Sequence, residues 1–293
     1  MQNIKIKNNI NLLNYTSIKV GGYAEYFSEP KNSSQLLNLL KWAKLKNLNC
    51  RIIGAGSNLL IRNKLHLGLT ICTKKFNQLK INRSSGLVQA ECGVMLPMLA
   101  NLLAQNGCKG GEWLIGIPGT IGGAIFMNAG TGNLWISNHL LSAQVLDRNK
   151  LSIQTVKKKD LDFEYRNSSF QTNELIILSA KFVFKPNEDS KIINELTKNN
   201  LKQKTKKQPY NLPSFGSVFK NPKNNYAGKL IEEAGLKGFS IGDAQVSHMH
   251  SNFIVNNGNA TSEEIYQLIT VIQQKVLQKK GIFLHPEVRM IGY

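Results

Sequence analysis

The stretch Ile117–Gly130 reads IPGTIGGAIFMNAG, and the rest of the chain is best read outward from it. It carries four glycines among Pro118, small apolar residues and the polar Thr120 and Asn128. Glycine suits backbone that must turn with φ > 0 or come close to a ligand. The N–H groups of such a run can form a nest for an anion. The competing possibility is a glycine-rich loop that joins two strands and binds nothing. A second such loop, Gly54-Ala55-Gly56-Ser57-Asn58, follows a short apolar strand at Arg51–Ile53. It is not a dinucleotide-fold fingerprint, because the sixth position is Leu59 and the residues after it (LLIRN) read as strand, not helix. A phosphate here would be held by turn N–H groups and by Ser57 and Asn58. Two loops of this kind can together clasp a pyrophosphate and a flat ring system, which describes a flavin dinucleotide.

The totals narrow the classes. At 293 residues the chain can bury a large core in two or more domains. With 42% hydrophobic and 19% charged residues it falls among ordinary globular proteins. No apolar run approaches the ~18 residues of a membrane helix, and the N-terminal MQNIKIKNNINLL lacks the pattern of a secretory signal. A soluble, cytoplasmic protein without membrane insertion is expected. The net charge of +19, from 37 Lys and Arg against 18 Asp and Glu, raises the possibility of a nucleic-acid partner. The basic residues are scattered rather than interleaved with aromatics, however, and Asn and Ile are abundant beside Lys, as an AT-rich genome would produce. An anionic substrate drawn in by the field fits this charge, and no nucleic-acid partner is expected. Cys50, Cys72, Cys92 and Cys108 have no CxxC spacing and read as reduced core thiols.

In chain order, Thr16–Phe27 reads as a strand broken at Gly21-Gly22. Ser33 or Ser34 then caps a helix with Leu36, Leu37, Leu40 and Ala43 at helical spacing. Strands are expected at Leu69–Cys72 and Leu87–Gly93, and a helix at Leu96–Gln105 with Pro97 in its first turn. Beyond the central stretch, strands at Leu141–Asp147, Leu151–Thr155 and Glu174–Phe184 precede a lysine-rich helix at Lys191–Lys204. Arg166 lies in FEYRNSSF, where it could also be a cation stacked on Tyr165. The next region opens with PSFGSVFKNP, followed by a helix at Ala227–Ala234 and a strand at Asn252–Val255. Thr261 and Glu264 form a capping box for a helix that ends at Gly281. A final strand is expected over Ile282–Ile291.

Seven motifs in this order, GAGSNLL, IPGTIGGAIFMNAG, EYRNSSF, GSVFKNP, AGKLIEEAGLKG, HSNFIVN and PEVRMIG, resemble the UDP-N-acetylenolpyruvoylglucosamine reductase family from about residue 14 to the C-terminus. The resemblance implies an α+β chain: a two-part FAD-binding domain of the vanillyl-alcohol-oxidase type over 14–185, and a C-terminal α+β substrate-binding domain over 203–293. The absence of a long insertion after EYR is similar to the shorter, type II branch. The implied activity is that of an NADPH-dependent UDP-N-acetylmuramate dehydrogenase in peptidoglycan precursor synthesis. NADPH and the UDP-sugar substrate would occupy one pocket by turns, and the chain would act as a monomer.

The resemblance also implies roles. Ser217 resembles the proton donor, and Arg166 and Glu287 resemble the pair that stabilises the enolate. Gly54, Ala55, Gly56, Ser57, Asn58, Ile117, Pro118, Gly119, Thr120, Gly122 and Gly123 would hold FAD, with Gly122 as the place where a bulky side chain would deny close approach. Lys220 and Asn221 would contact substrate. A guanidinium fork is a natural partner for a carboxylate that gains charge. Taken alone, Ser217 could equally be a turn hydroxyl bonded to its own backbone, and Glu287 a surface carboxylate paired to Arg289. Asn63, Lys206, Lys207, Asp243, His285 and the segment Thr131–Ser142 depart from the family pattern. His248 and His250 could share a strand face, but no third ligand stands at metal-binding spacing and no metal is expected.

Overall fold

The computed structural model describes residues 4–172 and 174–293, which divide into two compact units. One comprises the described residues of 4–8, 26–55 and 68–203; the other comprises Asn9–Glu25, Gly56–Leu67 and Lys204–Tyr293. Six α-helices are described: α1 (Ser33–Leu45), α2 (Leu96–Gln105), α3 (Ile121–Phe126), α4 (Ser190–Lys207), α5 (Ala227–Glu233) and α6 (Ser262–Lys280).

The first unit is built on a five-stranded antiparallel sheet in the order Ser152–Lys157, Leu140–Asp147, Leu175–Val183, Leu87–Glu91, Leu79–Asn82. Its register sets Ala143 opposite Ala180 and Ala180 opposite Ala90, all three buried. Helix α3 packs against the Leu175–Val183 strand. Helix α2 starts with Pro at its first turn and buries Leu96, Leu99, Ala100 and Leu103, as the spacing predicts. The parallel pair Cys50–Ile53 and His66–Cys72 belongs to a four-stranded sheet that also holds Ile6–Asn11 and Tyr23–Ser28.

The second unit has an antiparallel sheet in the order Ser214–Ser217, Phe253–Asn256, Ala244–Val246, Ser240–Ile241. Its core gathers Phe215, Phe219, Leu230 and Ile231 with Ile254 and the apolar face of α6. That face is Ile265, Leu268, Ile269, Ile272 and Val276, each worth roughly 2 kcal/mol on burial. The capping box of Thr261 and Glu264 is formed, and Gly281 ends α6 in the left-handed region at φ 67°.

Three local expectations change. Asn32, not Ser33 or Ser34, caps α1, its side chain accepting the Gln35 N–H at 2.9 Å. Thr16–Val20 closes into a turn in which the Thr16 hydroxyl donates to the Val20 carbonyl at 2.7 Å, so the strand begins only at Tyr23. The terminal strand shrinks to Arg289–Ile291, because its parallel partner Leu59–Ile61 is only three residues long and Pro286 has no N–H to donate.

Candidate active site

The central glycine stretch is folded, not open. Thr120 caps α3, accepting the Gly123 N–H at 3.3 Å. The Ile121 N–H donates to the Val94 carbonyl at 2.9 Å, and the Gly122 N–H to that of Cys92 at 2.8 Å. The anion nest expected here is therefore largely closed by the protein's own acceptors. Gly122 is explained by packing: a Cβ there would lie 3.0 Å from the Cys92 Cβ and 3.2 Å from its carbonyl oxygen. Burial pushes the Cys92 thiol up to about 12. Gly123 differs, since it is exposed and a Cβ on it would meet only the Thr120 hydroxyl, at 3.5 Å.

The loop Gly54–Asn58 has the opposite character. Among the described residues, the N–H groups of Ala55, Gly56, Ser57 and Asn58 have no hydrogen-bond partner. Gly56 has φ 66°, and a Cβ on it would overlap the Tyr15 carbonyl, so no other residue fits. Within the first unit the two glycine stretches meet, for a Cβ on Gly54 would overlap the Thr120 hydroxyl. Uncommitted backbone donors in a turn of this kind suit an anionic group such as a pyrophosphate.

Arg166 sits at the tip of a two-residue hairpin between Phe163–Glu164 and Asn167–Ser168, in the left-handed region at φ 56°. For a residue other than glycine this costs about 1 kcal/mol or more, a strain that concentrates at functional sites. Its guanidinium is half-buried; Nη2 donates to the Gly130 carbonyl at 3.1 Å, and Cζ lies 5.3 Å from the Tyr165 ring centroid. The stacking on Tyr165 open to the sequence is thus realised, but with a second ring, Trp135, on the same cation at 5.6 Å. Gln171 donates to the carbonyls of Phe126 and Arg166, tying the hairpin to the end of α3.

In the second unit, Ser217 and Glu287 are brought onto adjacent strands of backbone. The Val218 carbonyl, next to Ser217, accepts the N–H of Glu287 at 2.7 Å and that of Val288 at 3.3 Å. The Val218 N–H donates to the Asn252 carbonyl at 2.9 Å. Asn252 is buried, and its carboxamide pairs with Phe219 like a strand, accepting the N–H at 3.0 Å and donating to the carbonyl at 2.9 Å. The Lys220 N–H donates to the His285 carbonyl at 2.9 Å. The 217–220 segment is thereby held from both sides. Asn58 joins it, donating from its side chain to the Glu287 carbonyl at 3.1 Å and accepting the Arg289 N–H at 3.0 Å.

Gly216 has φ 79°, and a Cβ on it would meet nothing within 4 Å, which leaves the approach to Ser217 open. The Ser217 hydroxyl has no hydrogen-bond partner among the described residues, whereas a turn hydroxyl closed on its own backbone would have one. Asn221 directs its side-chain oxygen to the Ala227 N–H at the start of α5, at 3.0 Å. The sequence offered little sign that Asn252 would pair with Phe219 or that Trp135 would lie against Arg166. Each stands in a stretch singled out above, but neither carries a charge or a nucleophile. His250 is set edge-on to the Phe253 ring, and among the described residues no group of three His, Cys, Asp or Glu could hold a metal ion.

A family model described as an FAD binding domain matches residues 24–151, which points to the class of FAD-binding proteins. A second model, the UDP-N-acetylenolpyruvoylglucosamine reductase C-terminal domain, matches residues 208–291. UDP-N-acetylenolpyruvoylglucosamine reductase from Prochlorococcus marinus subsp. pastoris (strain MED4) is 62% identical over 293 residues, covering 100% of this chain and 99% of the relative. The enzyme of the same name from Prochlorococcus marinus (strain MIT 9313) is 45% identical, covering 100% and 95%. A crystal structure of UDP-N-acetylenolpyruvylglucosamine reductase from Thermus caldophilus superposes with a TM-score of 0.83 at 27% identity, covering 99% of this chain and 100% of that one. The chain belongs to the UDP-N-acetylenolpyruvoylglucosamine reductase family. It is accordingly an FAD flavoprotein and an oxidoreductase of peptidoglycan precursor synthesis that reduces the enolpyruvyl sugar nucleotide. No described helix is long and apolar enough to cross a membrane.

Proposed function

We propose that this chain converts UDP-N-acetylenolpyruvoylglucosamine to UDP-N-acetylmuramate with NADPH as reductant, and that Ser217 delivers the proton. FAD, when bound, would supply the hydride chemistry for the enolpyruvyl double bond, with NADPH as the source of the hydride. Ala55, Gly56, Ser57 and Asn58 would hold its pyrophosphate, and Gly123 would face its ring system. The neighbouring Gly54, Ile117, Pro118, Gly119, Thr120 and Gly122 would contribute to the same cofactor site. NADPH and the sugar nucleotide enter by turns, and Lys220 draws in their phosphates. The work is that of a cytoplasmic monomer with domains over 14–185 and 203–293.

Arg166 takes the substrate carboxylate, where charge grows as hydride arrives; its planar fork matches both oxygens. Glu287 hydrogen-bonds the same carboxylate region and completes the stabilisation of the enolate. Ser217 then gives its hydroxyl proton to the adjacent carbon. A serine is a weak acid, but a carbanionic centre is a strong base, so positioning decides the rate. The observation that carries this reading is the unpartnered Ser217 hydroxyl, beside an open glycine and on a segment bonded directly to Glu287.

The test separates hydride arrival from protonation. Ser217→Ala should keep FAD and rapid reduction by NADPH, while anaerobic reoxidation by the sugar nucleotide falls by orders of magnitude. Ser217→Cys should recover part of the loss. Reoxidation of the alanine variant within tenfold of wild type would remove Ser217 as the donor.

A further inference from the structure

The structure gives part of the segment Thr131–Ser142 a task. Gly130–Thr131 and Leu134–Trp135 form a short antiparallel hairpin in which Gly130 pairs with Trp135. A Cβ on Gly130 would overlap the Trp135 ring, so the indole is seated directly on that glycine. The Gly130 carbonyl in turn accepts the Arg166 Nη2 N–H at 3.1 Å. Trp135 and Tyr165 meet edge to face, with centroids 5.7 Å apart and planes at 81°, and each lies within 5.6 Å of the Arg166 Cζ. The guanidinium is therefore held by two ring systems at right angles and by one carbonyl.

We propose that Trp135 is a positioning residue for Arg166. With Tyr165 it holds the guanidinium in the one orientation that receives the enolpyruvyl carboxylate. The inference rests on the role of Arg166 given above. An arginine side chain has many rotamers, and ordering it during the reaction would slow every turnover. An aromatic face attracts the cation through its π-system and uses none of the in-plane N–H donors, so it can orient the fork without consuming a donor. Arg166 stands on a strained hairpin tip at φ 56°, where the backbone alone fixes only the start of the side chain.

The experiment is a double-mutant cycle on the holoenzyme, read by anaerobic reoxidation of the NADPH-reduced flavin with UDP-N-acetylenolpyruvoylglucosamine. Trp135→Leu should slow reoxidation tenfold or more and leave reduction by NADPH within twofold. Trp135→Phe, which restores a ring face, should come back to within threefold of wild type. In an Arg166→Ala background, Trp135→Leu should add less than twofold. Tyr165→Leu, at an exposed position, should slow reoxidation severalfold and serves if Trp135→Leu does not fold. The near-ultraviolet circular dichroism of the indole, taken as wild type minus Trp135→Phe, should change on Arg166→Leu. If Arg166→Ala slows reoxidation but the ring variants do not, or if the effects multiply, the positioning role is overturned and that of Arg166 stands. If Arg166→Ala itself reoxidises normally, both are overturned.

Discussion

The two glycine-rich stretches look alike as sequence and do opposite things as structure. Gly54–Asn58 is an irregular turn whose N–H groups stay available, and its central glycine is demanded by a left-handed φ and the adjacent Tyr15 carbonyl. Ile117–Gly123 runs into a capped helix whose first N–H groups are bound by the carbonyls of Cys92 and Val94 and by Thr120. One stretch supplies donors and the other supplies a smooth surface. Glycine abundance therefore does not by itself identify an anion site; what matters is whether the backbone donors already have acceptors.

Three substitutions can break or sharpen this contrast. The largest effect is expected at Gly56. A valine there must adopt φ 66° and displace the Tyr15 carbonyl, which should cost more than about 4 kcal/mol, in the range where a single change threatens folding. A Gly56→Val protein with a near-normal melting transition would show that the loop can move away, and the tight approach to Tyr15 would lose its meaning. At Gly122, valine meets the Cys92 backbone and side chain, an overpacking worth about 1–3 kcal/mol. Chemical denaturation should show that loss. Unchanged stability together with lost flavin would return Gly122 to the ligand-facing role expected from sequence. Gly123→Leu should alter stability least, within about 0.5 kcal/mol, because the position is open. Yet its purified protein should lack the yellow colour of bound flavin. Stoichiometric flavin in that variant would separate the α3 surface from the cofactor.

Much of the fold was legible where a local rule dominates. Leu96–Gln105 is a helix with the expected boundaries because Pro97 suits a first turn and the apolar spacing is strict. The box of Thr261 and Glu264 and the stop at Gly281 are likewise local chemistry. Illegible were the elements whose extent depends on a partner. The C-terminal strand stops at three residues because Leu59–Ile61, more than two hundred positions away, offers no more. The helical form of Ile121–Phe126 was hidden because glycine lowers helix propensity, and only Thr120 and the neighbouring strand end compensate.

The candidate site divides in the same way. Motif order alone pointed to the family, to a flavin, and to Arg166, Ser217 and Glu287, since reactive side chains in ordered motifs survive reading without coordinates. Only the tertiary structure set the Glu287 N–H on the Val218 carbonyl, put the buried Asn252 carboxamide on Phe219 and laid Trp135 over Arg166. These are contacts between residues distant in sequence, made by backbone groups that every residue shares or by side chains with no reactivity of their own. Sequence by itself determines which chemistry a chain can carry. Which backbone donors remain open, and which rings hold a cation in place, is decided by packing, because a hydrogen-bonding group becomes available only where no other element has already satisfied it.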